Sequence, residues 1–66
     1  MTREVAYVME NDSGKFDVWL NGRKILDAAN LGYQAALSRA RDVIRRKGGG
    51  DIIIEKLDGT VKTEVL

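Results

Sequence analysis

The chain has 66 residues and is 32% charged, yet Lys and Arg exceed Asp and Glu by so little that the formal net charge is +1. That balance counts against a strong nucleic-acid binder, which carries a clearly basic excess. Cysteine and histidine are both absent, which excludes disulfides, thiol chemistry and Cys-based metal sites and removes the commonest metal ligand and the commonest general base.

This length makes one domain, residues 1–66. A domain of this size buries only about 60% of its unfolded surface, and without a staple its stability margin is about 3–5 kcal/mol. Good packing or a partner subunit is what remains to raise it. No apolar run of secretory length opens the sequence and none approaches a membrane span. A cytoplasmic chain with no membrane partner is therefore expected.

Val5 to Met9 is the first expected strand, followed by the turn formers Asn11-Asp12-Ser13-Gly14. Lys15 to Leu20 then alternates, with Phe16, Val18 and Leu20 on one face and Asp17, Trp19 and Asn21 on the other. Asn21-Gly22 follows between two apolar runs. It is a strong hairpin signal, because a type I′ turn needs positive φ at both central residues. Arg23 to Asp27 is then a short third strand, held by Ile25 and Leu26.

The stretch from Tyr33 to Lys47 reads as the only helix. Tyr33, Ala36, Leu37, Ala40, Val43 and Ile44 fall at i, i+3, i+4, i+7, i+10 and i+11, one amphipathic stripe. Asn30 or Gly32 is the expected N-cap, and Gly48-Gly49-Gly50 stops the helix with a left-handed C′ residue. Asp51 to Leu57 is the fourth strand. Its Ile52, Ile53 and Ile54 are apolar on both faces, as in a strand inside a sheet. Asp58-Gly59 is a second primed-turn signal, and Thr60 to Val65 closes the chain as the fifth strand.

The expected fold is therefore α+β, two-layer, one helix packed on an antiparallel sheet in the order β-β-β-α-β-β. Its expected core is Phe16, Val18, Leu20, Ile52, Ile54 and Val61 under Ala36, Leu37, Ala40, Val43 and Ile44. The Phe16-x-Val18 strand, Asn21-Gly22, Ala36-Leu37-x-x-Ala40-Arg41, Gly48-Gly49, Ile52-x-Ile54 and Asp58-Gly59 together resemble a family of short bacterial domains, domain-of-unknown-function family 2188. The resemblance runs from Lys15 to about Thr63, supports the same strand order and implies no activity. The family usually has Trp where Phe16 stands and a Thr-x-x-Glu helix start that is absent here.

Three groups of residues are candidates for function. Arg39, Arg41, Arg45 and Arg46 on the helix, with Lys47, offer phosphates a basic face. Against this, cations in the last turns complement the helix dipole, Asp42 lies within reach of several of them, and the arginines fan over about half the helix circumference. Trp19, Ile53 and Leu57 point from the face the helix leaves open, where an apolar patch suits a protein partner; their plain role is cross-strand cover. Asp12, Asp51, Glu55 and Asp58 lack the spacing of a metal loop, and Asp12 and Asp58 sit where they bond local backbone. The glycines at 48–50 follow a helix instead of opening one, so they do not cradle phosphate.

No catalytic residue, cofactor or metal site is expected. The leading expectation is a small non-enzymatic intracellular interaction domain that self-associates through its open sheet face or a sheet edge, so the expected partner is a second copy or another protein. The alternative is a nucleic-acid-binding module using the helix arginines.

Overall fold

The computed structural model describes residues 3–66. The chain forms β1 (Glu4–Glu10), β2 (Phe16–Leu20), β3 (Arg23–Lys24), a 3-10 turn (Leu26–Ala28), α1 (Tyr33–Arg46), β4 (Gly50–Glu55) and β5 (Val61–Val65). One five-stranded sheet has the spatial order β3-β2-β1-β4-β5, and α1 packs across β1, β2 and β4. The architecture is α+β, with one helix on one sheet.

The sheet is mixed, which corrects the expected antiparallel arrangement. β1 and β4 pair in parallel, with Ala6 opposite Ile52 and Val8 opposite Ile54, and every other pair is antiparallel. Parity explains this. Two hairpins run β1, β2 and β3 alternately up, down and up, and the helix carries the chain back down, so β4 must run up. Both edges of β2 are already occupied, by β1 and β3. The free edges of β1 and β3 belong to strands that also run up, so either would receive β4 in parallel through a helical crossover.

Alternation assigns the two faces. Ala6, Val8, Phe16, Val18, Ile52 and Ile54 are buried beneath Ala36, Leu37, Ala40 and Ile44, with Ala28 closing one side. Ala6, Val8 and Ala28 were absent from the core read from sequence. β1 is apolar on both faces, so periodicity alone does not orient it. Leu20 is partly buried against this core and Val43 is half-buried. Val61 is not a core residue: its pairing with Glu55 puts it on the open face, 59% exposed. The side of β5 that faces the helix layer holds Lys62 and Glu64 instead, opposite Ile54 and Ile52.

The third strand is shorter than expected. After Lys24 the Ile25 N–H still donates to the Val18 carbonyl at 2.8 Å, but residues 26–28 then turn, leaving Leu26 85% exposed and Ala28 buried. Asn21 and Gly22 have φ of 52° and 80°, the signs a type I′ turn requires. Asp58-Gly59 is different. Lys56 N–H bonds to the Thr60 carbonyl and Gly59 N–H to the Lys56 carbonyl, each at 3.0 Å, which makes a three-residue loop with its positive φ at Gly59 alone.

Gly32 is the helix N-cap and lends no side chain. Asn30 sits in the left-handed region at φ 57°, its N–H donating to Asp17 Oδ1 at 2.7 Å. At the other end Gly48 N–H bonds to the Arg45 carbonyl and Gly49 N–H to the Ile44 carbonyl, both at 3.0 Å, the two bonds of a Schellman cap. Gly50 then passes close to β1, where a Cβ would overlap the Glu4 carbonyl oxygen.

Candidate functional site: the open sheet face

Residues of odd number in β1, β4 and β5, together with Asp17, Trp19 and Lys24, point away from the helix. Register arranges them in cross-strand rows. The central row runs Lys24, Trp19, Tyr7, Ile53, Thr63. A second row runs Asp17, Met9, Glu55, Val61, and a third runs Val5, Asp51, Val65. Neighbouring strands lie about 4.7–4.9 Å apart, so Trp19, Tyr7 and Ile53, in register on one face, form a continuous apolar strip over three strands. All three are half-buried. Lys24 Nζ stands 5.9 Å from the Trp19 ring centroid and caps the strip at the β3 end. Tyr7, Met9, Trp19, Gly22 and Glu55 line a shallow depression of about 360 Å³ on this face.

The structure brings Trp19 and Ile53 together and separates Leu57 from them. Leu57 lies beyond β4 in the loop to β5, 62% exposed, and its N–H donates to Glu10 Oε1 at 2.9 Å. Tyr7 and Met9 complete the patch and were missed by sequence reasoning. The signal for Tyr7 is indirect: only the β1–β2 register, which pairs Tyr7 with Trp19, turns an undirected apolar run into a faced strand.

The helix arginines are mostly committed to carboxylates. Arg39 is 3.1 Å from Asp27 Oδ2 and also donates to the Asp27 carbonyl oxygen. Arg41 holds Glu64 with two bonds, Nε to Oε2 at 2.6 Å and an Nη to Oε1 at 2.7 Å. Arg46 is 3.2 Å from Asp42. Arg45 is exposed and has no ion pair among the described residues. The Arg41 bonds hold the Glu64 carboxyl below its ordinary range, and the same hydrogen bonds push the Arg41 guanidinium up. The fork ties α1 to the outer strand β5, which the helix does not otherwise cover.

The remaining acidic candidates stay apart. Asp58 Oδ1 accepts the Thr60 N–H at 2.8 Å, and hydrogen bonds from the Thr60 side chain, first, and from its backbone hold the Asp58 carboxyl below its ordinary value. Asp51 pairs with Arg3 at 3.2 Å across the end of the sheet. Among the described residues no three His, Cys, Asp or Glu side chains are grouped to hold a metal ion, and no helix is long and apolar enough to cross a membrane. The chain matches no family model, no curated protein and no solved structure.

Proposed function

We propose that this chain is a non-enzymatic self-association domain and that the strip Trp19–Tyr7–Ile53, with Met9, is the surface on which two copies meet. The observation that carries this reading is the strip itself, an aromatic and aliphatic row at the centre of the face opposite the helix, which among the described residues has no second layer. Apolar surface left in water forgoes about 25 cal/mol per Å², and a domain of this size has a margin of only about 3–5 kcal/mol. A two-fold contact is the commonest way to recover it. The depression between Tyr7, Trp19 and Gly22 supplies the relief into which a large side chain of the second copy fits.

Two measurements test the reading. Trp19 is the only tryptophan, so its emission should shift to the red as dilution separates the copies and the ring meets water. Trp19→Lys places a charge at the contact and should lower the mass seen at high micromolar concentration. An emission maximum indifferent to dilution, with a mass unchanged by Trp19→Lys, would overturn the proposal.

A further inference from the structure

The two edges of the sheet are unlike. β3 is two residues long, both charged, and ends in a turn, which blunts that edge against further pairing. β5 is five residues long and among the described residues is the outermost strand of the sheet at the other edge. Its backbone direction follows from the ladder. Gly50 and Leu66 exchange both of their hydrogen bonds, at 2.8 and 3.2 Å, and Lys56 N–H bonds to the Thr60 carbonyl. Antiparallel pairs alternate, so Ile52–Glu64 and Ile54–Lys62 are also bonded pairs. The N–H and C=O groups of Val61, Thr63 and Val65 therefore point outward, away from β4. The Val61 and Val65 side chains are themselves 59% and 68% exposed.

We infer that β5 is a second contact, at which it pairs antiparallel with β5 of another copy about a two-fold axis through Thr63. Charge selects this register. With Thr63 opposite Thr63 of the second copy, Lys62 faces Glu64 on both sides of the axis and Val61 faces Val65. A shift of two residues toward the start of the strand opposes Lys62 to Lys62, and a shift the other way opposes Glu64 to Glu64; like charges directly opposite destabilise a pair. The Thr63 register also matches the outward groups, giving three bonded pairs and a continuous sheet. Glu64 then lies between its own Arg41 and Lys62 of the second copy. Lys62 and Glu64 guard the edge against strands of other sequence and fit a strand of their own. This contact shares no residue with the Trp19 strip. It extends the reading that the chain self-associates, and either contact stands or falls without the other.

A lone thiol reports the register, because the chain has no cysteine. Opposed residues in a bonded antiparallel pair have Cα atoms about 5.5 Å apart, within the roughly 4.4–6.8 Å a disulfide spans. Under mild oxidation Thr63→Cys should form a cross-linked pair, and should still do so with Trp19→Lys added to remove the face contact. Val61→Cys alone and Val65→Cys alone should stay uncross-linked, while a mixture of those two variants should cross-link to each other. Thr63→Pro removes an N–H that the β4–β5 ladder does not use, a change edge strands accept. It should abolish the edge contact and leave the melt cooperative. Cross-linking of Thr63→Cys no faster than of Val61→Cys would overturn the inference. If Trp19 emission still shifted on dilution, the face contact would survive that result. Cross-linking at Thr63 with an emission that ignores dilution would leave the edge as the only contact.

Discussion

Leu37→Ala is the most direct test of how the helix is seated. Leu37 is 5% exposed and sits on the α1 stripe that meets β1, β2 and β4. Truncation to alanine removes three carbons. At ~0.8 kcal/mol each the transfer term is about 2.4 kcal/mol, and the unfilled space brings the total to about 2–5 kcal/mol. The other buried members of the stripe are Ala36, Ala40 and Ile44. The alanines have nothing to extend into the gap, so the loss belongs in the upper part of that range. Against a margin of about 3–5 kcal/mol, the variant should be mostly unfolded at room temperature. Far-ultraviolet circular dichroism through a urea titration measures this, with parent and variant at the same protein concentration because association stabilises the folded state. A variant midpoint close to the parent's would mean that Leu37 is not in the core and that the helix is rotated from the register described.

Gly50→Ala should be costly for a steric reason: the added Cβ overlaps the Glu4 carbonyl oxygen and lies 3.0 Å from its carbon. A forced shift of this kind costs about 1–3 kcal/mol, so the melting temperature should fall by at least about 4 °C, and an unchanged value would argue against the close β1–β4 approach. Acid should release the Arg41–Glu64 fork. The folded Glu64 carboxyl is held below its ordinary value of about 4.3 by its bonds to Arg41, so its contribution is complete at neutral pH and is lost as pH falls from that value through the lower folded one. The melting-temperature difference between parent and Glu64→Gln, clear at pH 7, should therefore shrink as pH drops below 4; a difference that grew with acid would reverse the assignment.

Local chemistry made much of this protein legible before any fold was in view. The 3.6-residue stripe from Tyr33 to Ile44, the triple glycine behind it, Asn21-Gly22, and the alternation of Phe16, Val18 and Leu20 are signals carried within a few residues, and each names its element because the physics that sets it is equally local. The placement of Trp19 opposite the helix followed from that alternation alone. What tertiary structure decided involves strands far apart in sequence. The choice of β1 instead of β3 as the parallel neighbour of β4 is made by contacts between residues more than forty positions apart in the chain. The faces of β1 and β5 depend on register with their neighbours, so alternation alone assigns no face to Ala6, Val8 and Tyr7 and puts Val61 in the core, although it lies on the open face. The arginines show the same limit. Spacing on the helix brings Asp42 near several of them, yet Arg39 reaches Asp27 and Arg41 reaches Glu64. Those carboxylates arrive from the 3-10 turn and the outer strand, and no helical period contains them.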